Sequence, residues 1–353
     1  MATGFVFLWF SFFTLLSSTA SIAKITPRFP SSIVQPEQLS AALPTKNQLY
    51  KTKYFTQILD HFNFNPKSYQ TFQQRYLIND TFWGGAHSNA PIFVYTGNEG
   101  DVEWFAQNTG FMFEKAPHFK VLLVFIEHRF YGKSIPFGGH KDVAYSNTST
   151  LGYLSSTQAL ADYATVITDL KKNLSATDCP VVYPHITIGA LASSSPILNF
   201  ENITSPFSFN NIVTKDFRSE SENCYKVLKG SWDQIENKAN QPGGLEALRK
   251  SFKICKNYIS ASSLESWLST AYYYTAMTDY PTPSNFIPEY FLTYSCMCKA
   301  IDNPTTGNDT FAKLYGAANI YYNHSGTATC FDLADDSDPH GLGGWQWQIS
   351  FNK

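Results

Sequence analysis

Two continuous apolar runs, at residues 91–95 and 121–126, are the clearest strand signals in the chain. Strands of a parallel sheet are buried on both faces, so they consist of near-continuous apolar residues rather than an alternating pattern. Residues 72–78 also predict a strand, and residues 54–60 alternate weakly between apolar and polar side chains. The pattern therefore predicts three strands, with a weaker fourth, in the first part of the chain.

The strongest helix signal covers residues 155–174. Ser155 and Gln158 match a capping box, in which the two side chains satisfy free N–H groups at the start of a helix. Apolar side chains then recur at helical spacing and predict one buried face, formed by Leu160, Tyr163, Ala164, Ile167, Leu170 and Leu174. Apolar strands that alternate with such a helix predict an α/β fold with a parallel sheet.

The pattern changes after about residue 200, because no long apolar strand run occurs beyond it. Helical spacing or helical turns are found at residues 219–238, 244–258, 262–277 and 309–322. We therefore expect a separate helical domain to follow the α/β domain.

The first 23 residues predict a secretory signal peptide. An apolar run at 5–16 is followed by small residues, and cleavage after Ala20 or Ala23 fits the small-residue rule. The alternative is a membrane anchor, but the run is short for the ~20 residues that a spanning helix needs. No other run is long enough to span a bilayer, so we expect no membrane partner after cleavage. Residues 24–52 are largely polar and contain proline, which is typical of an extended lead-in.

Composition limits the classes of function. The chain has 353 residues, 43% of them hydrophobic and 15% charged, which is typical of a globular protein of about two domains. The formal net charge of −2 argues against nucleic acid as a partner bound through bulk charge. Cys296, Met297 and Cys298 could indicate a metal site, but the spacing does not fit zinc and no matching pair lies nearby. We therefore expect no metal and no cofactor, and the oligomeric state stays open.

Six N-x-[ST] sequons agree with secretion, because such asparagines are glycosylated in the secretory pathway. They are Asn79, Asn147, Asn173, Asn202, Asn308 and Asn323. The chain has six cysteines, which are Cys179, Cys224, Cys255, Cys296, Cys298 and Cys330. An oxidising compartment favours disulfides, but six cysteines allow fifteen connectivities and the sequence alone does not choose among them.

The order strand, glycine-containing loop, strand, helix and strand is that of an α/β-hydrolase. In that fold the loop after the third strand donates a backbone N–H to the oxyanion hole, which stabilises negative charge on a reacting carbonyl. Thr96, Gly97, Asn98, Glu99 and Gly100 occupy this place, and glycine lets a backbone approach the carbonyl closely. The alternative is an ordinary turn at the end of a strand, and the spacing favours neither.

The nucleophile of this fold is a serine in the motif G-x-S-x-G, a sharp turn between a strand and a helix. That motif does not occur in the 353 residues. The segment from Gly132 through Ser134 to Pro136 differs at its last position, and the serines at 193–195 lack flanking glycines. Only residues 183–185 separate two strand-like runs at the place of the turn and its helix, whereas a parallel crossover needs about a dozen residues or more.

The carboxylate and histidine that complete a Ser-Asp-His triad should follow late in the chain. Only His324 and His340 lie late, the first in a sequon and the second in a polar loop, and we expect both at the surface. His128 follows a predicted buried strand, where packing or a local hydrogen bond is a more common role than catalysis. The residues alone therefore provide no triad.

Several segments of the chain resemble the family of lysosomal Pro-Xaa carboxypeptidase and dipeptidyl peptidase II, which are serine exopeptidases that act at proline. The resemblance extends from Phe55 to about Trp347. The matching motifs are Asp60-His61-Phe62, Phe72-Gln73-Gln74-Arg75-Tyr76, Tyr95-Thr96-Gly97-Asn98-Glu99-Gly100-Asp101, Asn108-Thr109-Gly110-Phe111-Met112, Glu127-His128-Arg129-Phe130-Tyr131-Gly132, residues 156–162, Tyr183-Pro184-His185, Gly189-Ala190-Leu191-Ala192 and Asp279-Tyr280-Pro281.

The resemblance implies a partial α/β-hydrolase domain at 53–199, an inserted helical cap at 200–347 and a divergent tail at 348–353. In the family, a Gly-Gly-Ser-Tyr-Gly-Gly-type elbow and its helix lie between the positions of Val182 and Tyr183. The family's triad Asp and His lie in C-terminal strands that follow the stretch matched by this chain. No catalytic residue is therefore carried over, and residues 96–100 are carried over as a remnant of the oxyanion side.

The resemblance also implies two disulfides, Cys224 with Cys298 and Cys255 with Cys330. It leaves the partners of Cys179 and Cys296 unassigned.

We therefore expect a secretory-pathway protein, lysosomal, vacuolar or extracellular, whose full-length relatives act on proline-containing peptides, and we expect this chain to be catalytically inactive. Two alternatives stay open, an active Pro-specific exopeptidase and a non-catalytic splice or truncation product that acts as a binding protein. Whether the relatives act at the amino or the carboxyl end of the peptide is also open. We further expect a disturbed sheet, because Val181–Val182 and residues 186–192 cannot be parallel neighbours across three residues.

Overall fold

The computed structural model describes residues 50–64, 69–182, 189–192, 202–255, 259–280, 293–324, 326–333, 343–345 and 347–348. Several sequence predictions lie outside the described residues. They are the signal peptide at 1–23, the lead-in up to residue 49, the junction at 183–188, the serines at 193–195, His340 and the tail from residue 349.

Five strands form one sheet in the described part of the chain, in the order β1-β2-β4-β3-β5. They are β1 (Lys51–Ile58), β2 (Thr71–Asn79), β3 (Ile92–Thr96), β4 (Leu122–Ile126) and β5 (Val181–Val182). The two apolar runs are confirmed as β3 and β4, and every residue of β4 is buried, as expected of a strand covered on both faces.

The sheet is mixed, so the prediction of a parallel sheet is wrong for its first two strands. β1 pairs antiparallel with β2, and β2 pairs antiparallel with β4. β3 is parallel to both β4 and β5. The physical reason is the exposure of β1, most of whose residues face solvent. An antiparallel edge strand tolerates such exposure, whereas parallel strands are normally covered on both faces.

Five α-helices accompany the sheet in the described residues up to 182. They are α1 (Val102–Asn108), α2 (Gly110–Phe119), α3 (Lys141–Ala144), α4 (Thr148–Leu151) and α5 (Ser156–Asn173). α1 and α2 form the crossover between the parallel strands β3 and β4. Alternate residues of β4 face opposite sides: Val124 packs with Ile167 of α5, whereas Leu123 packs with Val102 of α1. The sheet therefore lies between two helical layers.

β5 is only two residues long, and the chain after it returns to its side. An isolated parallel bridge joins Val182 to Gly189, so the expectation that these two runs cannot be parallel neighbours is wrong for this residue pair. Six residues, 183–188, separate the bridge partners. This is about half of what a helical crossover needs.

Six further α-helices lie in the described part of the chain after residue 202. They are α6 (Ser208–Glu220), α7 (Glu222–Ala239), α8 (Gly244–Ser251), α9 (Ala261–Met277), α10 (Thr293–Asp302) and α11 (Thr310–Tyr322). The predicted helix at 219–238 spans a break at Ser221, whose hydroxyl accepts the N–H of Cys224 and caps α7. These helices surround an apolar core of their own, which includes Leu268 of α9 and Leu314 of α11.

Two disulfides link these helices, Cys224–Cys298 between α7 and α10 and Cys255–Cys330 between the segments after α8 and α11. They are the two pairs that the resemblance implies. Cys179 and Cys296 take no part in these disulfides. Within the described residues, no helix combines the length and apolarity needed to cross a bilayer.

The predicted capping box of α5 is half correct. The Ser155 hydroxyl accepts the N–H of Gln158 at 3.4 Å, but the Gln158 side chain does not turn back toward Ser155. Its Nε2 donates to Asp60 Oδ1 at 2.7 Å, and its Oε1 accepts the N–H of His61 at 3.0 Å. Gln158 therefore joins the start of α5 to the segment that follows β1.

The buried face of α5 also differs from the apolar prediction. Leu160 is 39% exposed, whereas Asp162 is fully buried. Asp162 accepts two hydrogen bonds from Arg129, each of 2.6 Å, and His61 Nε2 lies 2.8 Å from its Oδ1. The remaining donors of the buried Arg129 guanidinium reach carbonyl oxygens, including that of Leu59 at 2.8 Å. A buried ion pair thus fixes α5 against β4 and the end of β1.

Replacing Asp162 by Asn should destabilise the fold, because the charge of Arg129 then stays buried without a counter-charge. We expect the free energy of unfolding to fall by about 3–5 kcal/mol, measured by urea unfolding followed by circular dichroism. Asp178→Asn, at an exposed position after α5, is the matched control and should change it by less than about 0.5 kcal/mol. Equal losses in the two variants would contradict the role of Asp162.

Candidate functional site

The candidate oxyanion loop, residues 96–100, leaves the carboxyl end of β3 and leads into α1. Gly97 packs against the exit of β4, where a Cβ would lie 2.5 Å from the backbone nitrogen of His128 and 2.6 Å from the carbonyl oxygen of Ile126. Side-chain carbons do not approach backbone atoms this closely, so only glycine fits. The loop is therefore held in direct contact with the residues that follow β4.

The backbone N–H groups of this loop have different uses. Gly97 donates to the carbonyl of Ile126 at 2.7 Å, and Gly100 donates to that of Asn98 at 2.9 Å. Among the described residues no backbone carbonyl accepts from Asn98, which is exposed. This leaves the N–H of Asn98 as the candidate donor of the loop for the oxygen of a reacting carbonyl.

Burial raises the pKa of two polar side chains in this region. Desolvation raises the pKa of Tyr95 to about 12, and the Tyr95 hydroxyl accepts a hydrogen bond of 2.9 Å from Asn98 Nδ2. Burial also raises the pKa of Glu99. Gln348 Nε2 donates to Glu99 at 3.2 Å, and Gln348 Oε1 accepts from the Tyr131 hydroxyl at 2.7 Å. Gln348, the first residue of the predicted tail, therefore contacts the loop through Glu99.

His128 lies beside the loop and is held as a neutral imidazole. Its Nδ1 lies 2.7 Å from the carbonyl oxygen of Arg129, and since a carbonyl only accepts, Nδ1 carries the proton. The ring packs edge-on against Tyr131 and Tyr163, and the Tyr163 hydroxyl donates to the carbonyl of Gly97. Burial lowers the pKa of His128 to about 4. The local hydrogen bond and the packing that the sequence favoured for this residue are both present.

A second buried ion pair lies under the loop. Arg75 Nη2 is 2.5 Å from Glu127 Oε1 and 2.6 Å from Asp101 Oδ1, and Glu127 Oε1 also accepts the N–H of Val102. Desolvation opposes the charge of Arg75, but its hydrogen bonds and Coulomb attraction to Glu127 and Asp101 outweigh that cost and raise the pKa of Arg75. The pair thereby joins β2, β4 and the start of α1.

Ser134, the serine closest to a G-x-S-x-G motif, is a member of this pair's hydrogen-bond network. It is fully buried, donates from Oγ to Glu127 Oε2 at 2.7 Å and accepts the N–H of Arg75 at 2.8 Å. Its hydroxyl therefore stabilises a carboxylate and faces no open site.

The sequence did not identify these charged residues as a network. The sequence did contain a sign of buried charge. Arg75 lies inside a predicted strand, and Glu127 and Arg129 follow closely after the most apolar run. Charged side chains are almost never fully buried unless they are paired. Such positions therefore predict buried partners, but not which residues they are.

The predicted glycosylation sites differ in exposure. Asn147, Asn173, Asn202 and Asn308 are exposed, Asn323 is half-buried, and Asn79 at the end of β2 is only 7% exposed.

The prediction of a surface position is wrong for His324, whose side chain is only 8% exposed. His324 lies just after α11 and follows the buried tyrosines at the end of that helix. The described residues contain no group of His, Cys, Asp and Glu arranged to hold a metal ion.

Lowering the pH should weaken the fold through His128. The folded state keeps this ring neutral down to about pH 4, whereas the unfolded chain takes up a proton near pH 6.5. The unfolded state therefore binds more protons between these values. Stability contributed by this residue falls as the pH falls, by up to about 1.4 kcal/mol per pH unit.

His128→Asn keeps a donor for the Arg129 carbonyl and removes the titration. Urea unfolding at a series of pH values from 7.5 to 4.5 should show a shallower loss of stability in the variant than in the unmodified chain. Parallel pH profiles in the two proteins would contradict a buried neutral His128.

The serine carboxypeptidase S28 family model matches residues 57–338. The lysosomal Pro-X carboxypeptidases of Homo sapiens and Pongo abelii are each 37% identical over 330 residues, which covers 87% of this chain and 65% of theirs. The prolyl carboxy peptidase like protein 5 of Caenorhabditis elegans is 33% identical over 334 residues, which covers 85% of this chain and 64% of its own length. The chain thus spans just under two thirds of these relatives, and it belongs to the serine carboxypeptidase S28 family.

Proposed function

We propose that this 353-residue chain is a catalytically silent member of the serine carboxypeptidase S28 family. One observation carries the proposal: no G-x-S-x-G motif occurs in the sequence, and only six residues lie between the bridged residues Val182 and Gly189. The nucleophile of an α/β-hydrolase sits between a strand and the helix that crosses to the next strand.

The length of this connection supports the proposal. An elbow needs a tight turn and then a helix that runs back along the sheet, which takes about a dozen residues or more. Val182 pairs with Phe93 of β3 on one side and bridges to Gly189 on the other. Two chain segments that are already neighbours across six residues leave no length for such a helix.

The alignment with the human relative also supports an internal gap. It extends over 330 positions but covers 87% of the 353 residues, which is about 307 residues, so about 23 aligned positions have no counterpart in this chain.

The chain keeps other parts of a peptidase. The N–H of Asn98 is available beside the end of β3, and the buried pairs of Arg75 and Arg129 keep the loop and α5 in place. We propose that full-length relatives use this scaffold as serine exopeptidases on proline-containing peptides. We also propose the division into a partial hydrolase domain at 53–199 and a helical cap at 200–347, which agrees with the separate apolar cores of the two regions.

A proline-containing phosphonate ester, which forms a covalent bond with an activated serine, tests the proposal. The purified chain should acquire no mass and should release no amino acid from a Pro-Xaa peptide. The human lysosomal Pro-X carboxypeptidase is the positive control, and circular dichroism of the same sample shows that the chain is folded. Covalent labelling of any serine, together with peptide turnover, overturns the proposal and supports an active exopeptidase.

A second candidate is a non-catalytic binding protein, favoured by the free N–H of Asn98 at the retained loop. Calorimetric titration with the same Pro-Xaa peptide distinguishes an inactive chain that binds the peptide from an inactive chain that does not. Saturable heat without turnover supports a binding protein, and no heat contradicts it.

We propose that the chain enters the secretory pathway and reaches the lysosome, the vacuole or the outside of the cell. Three observations support this route. They are the predicted signal peptide, the two disulfides and the word lysosomal in the name of the human relative.

Glycopeptide mapping of the folded chain, purified from eukaryotic cells that express it, tests both the route and the fold. Glycans should be found on exposed sequons such as Asn147 and Asn308, and none on Asn79, because a glycan on a side chain that is 7% exposed cannot be accommodated in the folded sheet. A folded chain that carries no glycan contradicts the secretory route. A glycan on Asn79 contradicts the burial of that side chain.

A further inference from the structure

The two disulfides of the helical region differ in their access to solvent. Cys224 and Cys298 are 0% and 1% exposed, so their disulfide lies inside the apolar core. Cys330 is exposed, and its partner Cys255 is half-buried. A disulfide is reduced when a thiolate attacks one of its sulfur atoms, and this attack requires access to the sulfur. A dissolved reductant can therefore reach the Cys255–Cys330 disulfide, whereas the Cys224–Cys298 disulfide is shielded.

Two backbone hydrogen bonds accompany the accessible disulfide. The Cys255 N–H donates to the Phe331 carbonyl at 2.8 Å, and the Phe331 N–H donates to the Lys253 carbonyl at 2.9 Å. They form an isolated parallel bridge between Ile254 and Phe331 rather than a strand ladder. A short two-stranded pairing is only marginally stable by itself in water. The disulfide therefore reinforces a pairing between the segments after α8 and α11 that is weak without it.

The residue next to Cys330 anchors an aromatic cluster. Phe331 is 7% exposed, and its ring lies 5.2 Å from that of Trp267 and 6.0 Å from that of Tyr322. Trp267 belongs to α9 and Tyr322 to α11, and their rings stack at 4.4 Å. Phe331 therefore connects the accessible disulfide to the packing of α9 against α11.

The helices have a second covalent link that a reductant does not reach. The Cys224–Cys298 disulfide joins α7 to α10. Around it lies the apolar core that includes Leu268 of α9 and Leu314 of α11, both fully buried. Burial of such side chains stabilises the folded state whether or not the accessible disulfide is closed. The accessible disulfide can therefore open while the helices stay folded.

We propose that the Cys255–Cys330 disulfide is a redox-sensitive clasp, which a thiol reductant opens in the folded chain while the Cys224–Cys298 disulfide stays closed. Opening removes the covalent link between residues 326–333 and the segment after α8, and it loosens the contacts of Phe331. The clasp contains no residue of the 96–100 loop, so its opening does not depend on catalytic silence.

The reaction balances with a dithiol as the reductant. A thiolate of dithiothreitol attacks the sulfur of Cys330 and forms a mixed disulfide with it, and Cys255 leaves as a thiolate that takes up a proton. The second thiolate of the reductant then displaces Cys330, which also takes up a proton, and closes a cyclic disulfide. Two electrons thus pass from the reductant to the two cysteines.

Differential labelling of the full 353-residue chain tests the order of reduction. Accessible thiols are first blocked with N-ethylmaleimide, and the folded chain is then exposed to dithiothreitol. Samples taken over time are labelled with iodoacetamide and mapped by mass spectrometry. Label should appear on Cys255 and Cys330 at least about tenfold faster than on Cys224 and Cys298. Circular dichroism should show unchanged helix content while only the first pair is labelled.

A double variant, Cys255→Ser with Cys330→Ser, reproduces the open clasp without a reductant. In hydrogen-exchange measurements its Phe331 amide should exchange at least about tenfold faster than in the unmodified chain, because the local pairing opens more often. The matched control is Cys296→Ser, which removes a cysteine outside both disulfides. It should change neither the exchange of Phe331 nor the order of reduction.

Any of four results overturns the proposal. They are the absence of label on Cys255 and Cys330, equal or faster labelling of Cys224 and Cys298, loss of helix content as the first pair opens, and equal exchange of the Phe331 amide in the double variant and the unmodified chain. The labelling experiment uses the unmodified chain, so it decides the proposal even if the double variant fails to fold.

Discussion

Two buried arginines fix the end of the sheet where an α/β-hydrolase places its reaction. Arg75 pairs with Glu127 and Asp101, and Arg129 pairs with Asp162. Taking such charges out of water is expensive, and the attraction offsets it only when geometry and hydrogen bonding are nearly complete. Glu127 and Arg129 flank His128, so the two pairs hold the segment on which Gly97 rests. The position of the 96–100 loop therefore depends on these buried ion pairs.

Several residues of the family motifs form buried hydrogen bonds that hold the sheet, the loop and α5 together. The histidine of the Asp60-His61-Phe62 segment contacts Asp162, and Gln74 Nε2 donates to the Glu127 carbonyl at 2.8 Å. A catalytic group must be held within a fraction of an ångström by supporting contacts. In this chain such supporting contacts surround the 96–100 loop, which we propose as the oxyanion side of a hydrolase site. These contacts do not involve a nucleophilic serine. A chain can therefore match the family over most of its length and still be proposed as catalytically inactive.

The spacing of apolar residues along the sequence was enough to predict the strands and the helix whose buried side chains are mainly hydrocarbon. It predicted β3, β4 and α5, because these lie against the sheet core through hydrocarbon side chains. It failed where polar groups meet across long separations: Arg129 and Asp162 are 33 residues apart, and no local pattern indicates that Asp162 replaces Leu160 on the buried face. The loop at 96–100 was located from the order of strands, but the proposal of Asn98 as its donor required the hydrogen bonds of Gly97 and Gly100.

A crystal structure of the purified chain, with the distance from the backbone nitrogen of Asn98 to the nearest serine Oγ as its readout, tests the central claim most directly. A serine that attacks a carbonyl held by this N–H must lie within about 5 Å of it and within hydrogen-bond reach of a histidine. The account predicts that no serine Oγ meets both conditions and that residues 183–188 form a short connection. A serine in that position, bonded to a histidine nitrogen, would contradict it.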